Sequence, residues 1–454
     1  MDLAIVILAA GQGTRMKSDL PKVLHPVAGR PMVRYVLEAA RALEPSHLVV
    51  VVGYGADLVR QAVGDGVVFV TQAEPLGTGH AVRQAQEYLA GRAGTVLVLY
   101  GDTPLIRPET LQRMVNCHRT EGAALTLLTF QPDDATGYGR IVRHPTTSQV
   151  VAVVEEREAT AEQRDIREVN SGILCLQDRW LWPNLDRLRE RPGGEFYLTD
   201  LVALAGEQGA KILGLPVSDP LEAIGLDNRL KLAQAEAEMR RRINIRWMLS
   251  GVTLVHPETT YIEADVEIGA DTVIWPSTLL QGRTQIGRGC TIGPGSVIRD
   301  SIIGDGCKVE LSVVEQAIME ERSEIGPFGH LRKGAHLGPG VHMGNFGEVK
   351  NSYLGPGVKM GHFSYLGDAT VGAGANIGAG TITCNYDGQR KHRTVIGEGA
   401  FIGSDTMLVA PVEVGAGAKT GAGSVVTHDV PPGSVVYGVP ARIRSPGSEQ
   451  EEVK

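Results

Sequence analysis

The amino-acid sequence predicts two differently built halves, an α/β domain with a mainly parallel sheet followed by a parallel β-helix. Three observations carry this prediction. Short apolar runs alternate with helically spaced segments over residues 1–228, an aliphatic residue recurs at every sixth position from Tyr261 onward, and 35 of the 57 glycines lie in residues 229–454. With 454 residues, 43% of them hydrophobic, the chain is long enough for two packed cores.

Charge and cysteine content exclude several classes of protein. The net charge is −8, so the chain lacks the basic footprint of a nucleic-acid-binding protein. The five cysteines are scattered without CxxC spacing, which argues against a disulfide framework and a zinc site. The N-terminus has no basic signal region, and its apolar run Leu3–Ala10 is too short to span a membrane. We therefore expect a cytoplasmic protein with no membrane partner.

The first half alternates buried strands with helices. Its strands are predicted over Leu3–Ala10, Leu48–Val52, Val67–Thr71 and Thr95–Tyr100, and its helices over Pro31–Leu43 and Gly79–Leu89. Continuous apolar runs joined by helices favour a parallel sheet that is covered on both faces. Such sheets bind ligands beyond the carboxyl ends of their strands, so the residues that follow each run are the candidates for function.

Two strand ends carry chemistry. After the first, small residues from Ala9 to Gly13 would let backbone N–H groups surround an anion, and Arg15 and Lys22 would add positive charge beside a polyphosphate. The segment is neither a Walker loop nor a dinucleotide fingerprint, and a plain strand-to-helix turn is the structural alternative. After the fourth strand, Asp102 could hold Mg²⁺ together with substrate phosphates, or merely cap the next helix.

The second half begins with a connecting helix, predicted over Asn228–Leu249 because that stretch lacks glycine and proline. The hexapeptide period that follows is typical of a parallel β-helix, in which one residue in six points inward and glycine permits each corner. The period slips between Ile298 and Ile325. The predicted inward positions are Ile262, Ile268, Ile274, Leu280, Ile286, Ile292, Ile298, Ile325, Leu331, Leu337, Met343, Val349, Leu354, Met360, Leu366, Val371, Ile377, Ile396, Ile402, Leu408, Val414, Thr420 and Val426.

One polar, cationic stretch, Cys384–Arg393, interrupts the repeat and is a candidate site. His362, Lys350 and Glu348 lie one or two coils upstream of it. A solvent-facing corner residue is the alternative interpretation of His362.

The motifs LAAGQGTRM, PKVLH, QAEPLGTGHA, YGDTPL, GYGRI, EVNSG, GHFSYLGDA and TCNYDG occur here in this order. From Leu3 to about Arg442 the chain resembles the bacterial bifunctional UDP-N-acetylglucosamine pyrophosphorylase/glucosamine-1-phosphate N-acetyltransferases. The resemblance implies a Rossmann-like nucleotidyltransferase domain over residues 1–228, a linker helix over 229–249, and a left-handed β-helix acetyltransferase domain over 250–454. It also implies a homotrimer through the β-helix, and the polar tail Ser445–Lys454 is expected to be disordered.

For the first domain the resemblance implies uridylyl transfer from UTP to N-acetylglucosamine 1-phosphate with Mg²⁺. Arg15 and Lys22 would hold the phosphates, and Asp102 would ligate the metal together with residue 227. The family carries Asn there, in GVNNR, whereas this chain reads Gly225-Leu226-Asp227-Asn228-Arg229. We take Asp227 as the ligand, with Asn228 as the alternative. Uridine, ribose and sugar would contact Leu8, Ala9, Ala10, Gly11, Gln72, Gly77, Thr78, Tyr100, Gly101, Gly137, Glu155 and Asn170.

For the second domain the resemblance implies acetyl transfer from acetyl-CoA to glucosamine 1-phosphate. His362 would be the general base, oriented by Glu348. The sugar phosphate would be held by Arg332, Lys350, Tyr365, Asn376 and Lys391. Asn385, Tyr386 and Ser404 would stabilise the oxyanion or bind the cofactor, Ala379 and Ala422 would line the acetyl-CoA channel, and Arg442 or Arg444 would meet the phosphates of the coenzyme.

Two other functions fit the same folds. The chain could be a sugar-phosphate nucleotidyltransferase with a single activity, whose β-helix serves only assembly or regulation. It could also be an exchange subunit resembling a translation factor, without enzymatic activity. His362, Lys350 and the interrupting loop argue against the first, because a passive prism needs none of them. Arg15, Lys22 and Asp102 argue against the second.

Overall fold

A computed structural model describes residues 2–191 and 193–444, with only the backbone of Arg444. The predicted tail Ser445–Lys454 lies outside the described residues. The chain divides into two compact units, Met1–Met239 and Arg240–Lys454, and the boundary falls within the helix Arg229–Leu249. The domain limits at residues 228 and 250 stay a prediction. None of the helices in the described ranges is long and apolar enough to cross a membrane.

The first unit is built on a nine-stranded mixed sheet. Its strands are Leu3–Ala9 (β1), His47–Val52 (β2), Val68–Thr71 (β3), Thr95–Tyr100 (β4), Leu125–Phe130 (β5), Arg140–Arg143 (β6), Val150–Val154 (β7), Val169–Gln177 (β8) and Ile212–Pro216 (β9). The spatial order is β9-β5-β8-β4-β1-β2-β3, with β6 and β7 attached beside β8. Strands β4, β1, β2 and β3 run parallel, as predicted, whereas β8 is antiparallel to both β4 and β5.

Helices cover both faces of this sheet. They span Met32–Arg41, Ala56–Val63, Gly77–Arg83, Gln86–Leu89, Pro108–Thr120, Ala161–Arg164, Asp178–Leu185 and Asp200–Glu207. The helix Arg229–Leu249 runs across the boundary between the two units. The helix predicted over Gly79–Leu89 is therefore two shorter helices. Alternate residues of β1 enter two separate apolar clusters, Ile5 and Ile7 on one face and Ala4 and Val6 on the other. Burial on both faces explains why the strand is a continuous apolar run.

The second unit is a parallel β-helix with three faces. The first face contains Thr253–Leu254, Val273–Ile274, Thr291–Ile292, Lys308–Val309, Glu324–Ile325, His342–Met343, Lys359–Met360, Asn376–Ile377, Phe401–Ile402, Lys419–Thr420, Val435–Gly438 and Ala441–Arg444. The second contains Tyr261–Ile262, Leu279–Gln281, Val297–Arg299, Val313–Glu315, His330–Leu331, Gly347–Lys350, Ser364–Gly367, Ile382–Cys384, Met407–Val409 and Val425–Val426. The third contains Glu267–Ile268, Gln285–Ile286, Ile302–Ile303, Ile318–Met319, His336–Leu337, Tyr353–Leu354, Ala369–Val371, Thr394–Ile396 and Val412–Val414.

All the predicted inward positions of the repeat are buried. Where the period slips, the inward positions are Ile303, Val309, Val314 and Met319, which are also buried. In this region several of the three sides of a coil are five residues long instead of six. Val297 therefore pairs with Val313, which follows it by only sixteen positions. The coil is thus continuous although the six-residue period is lost.

Corners of the β-helix do not all require glycine. Many glycines there have positive φ, but so do Leu311 (44°), Phe328 (62°) and Phe346 (54°). The prediction of glycine at each corner is therefore wrong for these positions. The predicted interruption of the repeat is confirmed, because Thr394 pairs with Ala369, 25 positions earlier, and the additional residues leave the coil as a loop.

Candidate active sites

The first site lies where β1 and β4 end side by side. The Gly101 amide donates to the Leu8 carbonyl at 2.9 Å, which joins the two strand ends. A cleft of about 290 Å³ opens there, and the predicted residues that line it are Leu8, Ala10, Gly11, Lys22, Gln72, Gly77, Thr78, Tyr100 and Asp102. Ala9 does not line this cleft. It packs with Ile5 and Ile7 in the core, because successive residues of a strand point to opposite faces of the sheet.

The loop after β1 is packed onto Lys22. Gly13 has φ of 77°, and a Cβ at this position would overlap the side chain of Lys22. Lys22 in turn forms an ion pair with Asp102, and both side chains are largely buried. The absence of a side chain at Gly13 therefore lets Lys22 lie directly beside the Asp102 carboxylate.

Asp227 lies beside Asp102, because the Leu226 amide donates to the Asp102 carbonyl at 2.9 Å. Arg15 pairs with the Asp227 carboxylate at 2.8 Å. The Asn228 Oδ1 accepts from the Lys231 amide at 2.9 Å and so caps the helix that follows. Because the side-chain oxygen of Asn228 is engaged in the cap, the geometry favours Asp227 as the metal ligand.

The residues around these carboxylates fit a hard divalent cation. Asp102 and Asp227 offer carboxylate oxygens, which Mg²⁺ prefers. Each carboxylate also pairs with a cationic side chain, with which a metal ion would have to compete. Within the described ranges no group of three metal-binding side chains occurs. Mg²⁺ commonly binds one or two carboxylates together with substrate phosphates, and that is the ligand set this cleft offers.

Gln72 lies in the same cleft and is almost fully buried. Its Nε2 donates to the Gly77 carbonyl at 3.0 Å and lies 3.2 Å from His80 Nδ1. Gly77 has φ of 88°, and a Cβ here would overlap the backbone of Phe196. The amide of Gln72 is therefore held in a fixed direction.

A second pocket of about 290 Å³ adjoins the first at Tyr100 and Thr78, and Gly137, Glu155 and Asn170 line it as well. Burial raises the pKa of the Glu155 carboxyl, which accepts from Thr199 Oγ1 at 3.2 Å. Asn170 Oδ1 accepts from the Gly172 amide at 3.1 Å. The pocket thus presents hydrogen-bonding groups suited to a sugar.

The β-helix carries a group of positive charges on its second face, here called the cation cluster: Arg332, Lys350 and Lys391. Arg332 directly follows the strand His330–Leu331, and Lys350 ends the strand that pairs with it. The nearby Lys391 ammonium lowers the pKa of Lys350. Tyr365 and Asn385 lie beside the cluster, since a Cβ on Gly367 would meet both side chains. Asn385 is fixed by a 2.6 Å hydrogen bond to Asp368. The cluster can hold a phosphate.

His362 begins a second line of residues, here called the His362 edge: His362, Ala379, Ser404 and Ala422. Backbone hydrogen bonds stack them coil upon coil, from Gly380 to Phe363, from Asp405 to Ala379 and from Gly423 to Ser404. The His362 side chain is exposed and forms no hydrogen bond with any described residue. Both ring nitrogens of this imidazole are therefore accessible to a ligand.

Some predicted roles are not reproduced within one chain. Glu348 bonds Arg332 at 2.7 Å and not His362, because it lies on the strand Gly347–Lys350 of the second face, away from the corner that carries His362. Asn376 lies on the first face, apart from the cation cluster. Tyr386 is exposed in the loop, and its hydroxyl donates to the Gly388 carbonyl at 2.7 Å. Arg442 is exposed on the last strand, Ala441–Arg444.

Comparisons with known proteins place each unit. Residues 5–200 match the MobA-like NTP transferase domain, and residues 265–300 and 393–428 match the bacterial transferase hexapeptide family. "Bifunctional protein GlmU" of Pelobacter propionicus is 48% identical over 96% of this chain and 95% of its own length. The protein of the same name from Geobacter metallireducens is 48% identical over 98% of each chain.

This chain belongs to the bifunctional GlmU family. The protein of Brevibacillus brevis that carries the same name is 46% identical over 94% of this chain and 92% of its own length. The first unit of this GlmU-family chain is a Rossmann-like nucleotidyltransferase domain, and the second is a left-handed parallel β-helix, as predicted.

Sequence reasoning missed several residues of these sites. Glu195 lines the first cleft, Thr199 and Tyr197 line the sugar pocket, and Asp368 holds Asn385. Glu195 and Thr199 reach their pockets from a loop remote in sequence, and no local pattern signals this. Lys231 contacts Asp227, and its i,i+4 spacing at the start of a helix could have revealed it.

Proposed function

We propose that this chain makes UDP-N-acetylglucosamine in two steps, at two separate sites. The β-helix acetylates glucosamine 1-phosphate with acetyl-CoA, and the first unit transfers uridylyl from UTP to the N-acetylglucosamine 1-phosphate so formed. The observation that carries the proposal is the presence of two chemically different groups of residues. One unit holds paired carboxylates with cations, and the other holds the cation cluster and an imidazole that forms no hydrogen bond with any described residue.

In the first unit, the sugar-phosphate oxygen is already anionic and needs no general base. It attacks the α-phosphorus of UTP in line, and pyrophosphate leaves. Lys22 and Arg15 bind the phosphates and offset the charge that develops on them. Asp102 and Asp227 would hold Mg²⁺, whose chemistry here is the neutralisation of phosphate charge. Gln72 binds the uracil, and Glu155 and Asn170 bind the sugar.

In the second unit, the amine nitrogen of the acceptor attacks the thioester carbonyl carbon of acetyl-CoA. An N–C bond forms and the C–S bond breaks, so that CoA leaves as the thiolate and becomes the thiol on taking up the proton that the amine has lost. His362 accepts the proton that the amine loses. The cation cluster binds the phosphate of the acceptor, while Ala379, Ser404 and Ala422 leave room for the extended chain of acetyl-CoA along the His362 edge.

We also propose a homotrimer, and two observations support it. The His362 edge and the cation cluster lie at opposite ends of the strand Ser364–Gly367, and four extended residues span roughly 13 Å, so one acceptor does not reach both within one chain. Phe328, Phe346 and Phe363 are also exposed on successive coils next to His362, and the first two rings stack at 5.2 Å. Burial of these rings by a neighbouring copy would stabilise an assembly. Sedimentation of the purified chain at three times its monomer mass is expected, and a monomer contradicts it.

The proposed enzyme acts in the cytoplasm on small molecules. Its test is to supply the purified chain with glucosamine 1-phosphate, acetyl-CoA, UTP and Mg²⁺. We expect UDP-N-acetylglucosamine, with one CoA thiol and one pyrophosphate released for each product molecule. With N-acetylglucosamine 1-phosphate as acceptor, acetyl-CoA becomes unnecessary. Formation of UDP-glucosamine without release of CoA would indicate a nucleotidyltransferase with a passive β-helix.

A further inference from the structure

Lys231 lies in the first turn of the helix Arg229–Leu249 and is in contact with the candidate metal ligand. Its Nζ lies 3.3 Å from each carboxylate oxygen of Asp227. The Lys231 amide is fixed by the Asn228 cap at the same helix start. Four residues separate Asp227 from Lys231, which is one turn of helix and suits an ion pair of this kind.

Tyr138 holds the same ammonium from the opposite side. Lys231 Nζ donates to the Tyr138 hydroxyl at 3.1 Å and lies 4.6 Å from the centroid of its ring. The Lys231 side chain is 23% exposed, so the pair is partly shielded from solvent. Partial burial and two anchoring partners keep this cation in place.

Arg15, the other cation on Asp227, differs in this respect. Its side chain is 70% exposed, and among the described residues Asp227 is the one with which it forms an ion pair or hydrogen bond. It can turn to a phosphate when a nucleotide binds, whereas Lys231 is retained by Tyr138. Asp227 therefore keeps one positive partner throughout the reaction, and a divalent cation has to share the carboxylate with it.

We propose that Lys231 is a positioning residue that holds Asp227 in a permanent ion pair and thereby weakens the intrinsic affinity of the site for a divalent cation. This inference rests on the proposed function, in which Asp102 and Asp227 form the metal site. A site of low intrinsic affinity depends on the substrate phosphates for its remaining oxygen ligands. Asp102 and Asp227 would then hold a divalent cation firmly only when a nucleotide or pyrophosphate is bound beside them.

The test is binding of Mn²⁺ to the full chain without nucleotide, measured by electron paramagnetic resonance. We expect Lys231→Gln to bind Mn²⁺ about tenfold more tightly than the wild type, because the carboxylate is no longer shared. Lys231→Arg keeps the charge and is expected to bind Mn²⁺ as the wild type does. In the Asp227→Asn background, Lys231→Gln is expected to change Mn²⁺ affinity by less than twofold.

Two results would overturn the role of Lys231. The first is unchanged or weaker Mn²⁺ binding in Lys231→Gln with a wild-type melting temperature. The second is an equal gain in Mn²⁺ affinity when Lys231→Gln is made in the wild type and in Asp227→Asn. Such a result would indicate that Lys231 repels the cation through space and does not act through Asp227. The metal site itself is tested separately by Asp102→Asn. If neither Asp102→Asn nor Asp227→Asn weakens Mn²⁺ binding, the proposed metal site is wrong, and the role of Lys231 with it.

Discussion

Gly13 shows how one residue can place a charged side chain. Its φ of 77° favours glycine, and the space that a Cβ would occupy is filled by Lys22. Lys22 in turn meets Asp102. A methyl group at position 13 would therefore both strain the loop and push the cation away from its carboxylate.

We expect Gly13→Ala to lower uridylyl transfer at least tenfold while acetyl transfer stays within twofold of the wild type. The backbone strain should also cost about 1 kcal/mol of stability. Gly91→Ala is the matched control, because Gly91 has φ of 74° but no neighbour within 4 Å. Rates of pyrophosphate release for both variants check the prediction, and equal losses would show that strain alone is responsible.

His118 makes the stability of the first unit depend on pH. The imidazole is buried, its Nδ1 lies 2.9 Å from Thr126 Oγ1, and its Nε2 has no partner within the described part of the chain. Burial, aided by the charge of Arg119, lowers the pKa of His118 to about 4. The unfolded state binds a proton near pH 6.5, whereas the folded state does not until the pH is much lower.

Stability should therefore be full above pH 6.5 and fall progressively as the pH drops from 6.5 towards 4, by up to about 3 kcal/mol for this group. His118→Gln cannot take up this proton. We expect its melting temperature to fall less between pH 7 and pH 5 than that of the wild type. Parallel decline of both proteins would contradict the assignment to His118.

At the scale of elements, strands that are buried on both faces were predictable from sequence. The run from Leu3 to Ala9 is apolar because each residue enters one of two clusters. The antiparallel strand β8 was not predicted, since its pairing with β4 and β5 depends on partners remote in sequence. In the β-helix, inward residues were predictable because a narrow core accepts one aliphatic side chain for each side of the coil.

Other features of the strands and loops depend on contacts with residues outside the local stretch of sequence, so a local sequence pattern does not reveal them. The five-residue sides of the coil around Ile303 and Val314 still bury one aliphatic residue each, so they fit the core. They could not be predicted because they break the six-residue period of the sequence. The composition of the cation cluster was predicted by resemblance, but the ion pair between Glu348 and Arg332 follows from the stacking of coils. The positions of Glu195 and Thr199 in their pockets could be known only from the folded structure of the loop that carries them.

The loop between Cys384 and Arg393 is organised by Asp387. Its carboxylate accepts from the Arg390 amide at 2.6 Å, from the Gln389 amide at 2.7 Å and pairs with His392 at 2.7 Å. These bonds hold the pKa of Asp387 well below its usual range. The loop also carries Lys391 of the cation cluster, so its shape should decide how the acceptor phosphate is bound.

We expect Asp387→Ala to lower acetyl transfer at least tenfold, mainly through a higher KM for glucosamine 1-phosphate. The β-helix should melt within about 2 °C of the wild type, because the loop lies outside the coil. Gln389→Ala is the control, since this side chain forms no hydrogen bond among the described residues. Steady-state CoA release checks both variants. Loss of acetyl transfer with unchanged KM would place Asp387 in the chemical step.

At the scale of the whole molecule, the chain joins two folds with different chemistry. In the proposed function the first unit binds phosphates with Lys22, Arg15 and two carboxylates, and it has no need of a base. The second offers an exposed imidazole and the cation cluster. The two sets of residues belong to separate compact units, so damage to one should leave the other active.

The most direct test of this division is a reciprocal assay of His362→Ala and Asp102→Asn, in which release of CoA and of pyrophosphate is measured separately for each purified variant. We predict that His362→Ala loses at least a hundredfold in CoA release. Its pyrophosphate release from N-acetylglucosamine 1-phosphate and UTP should remain at the wild-type rate, and Asp102→Asn should do the reverse. Equal loss of both activities in either variant, with the fold intact, would contradict two independent sites.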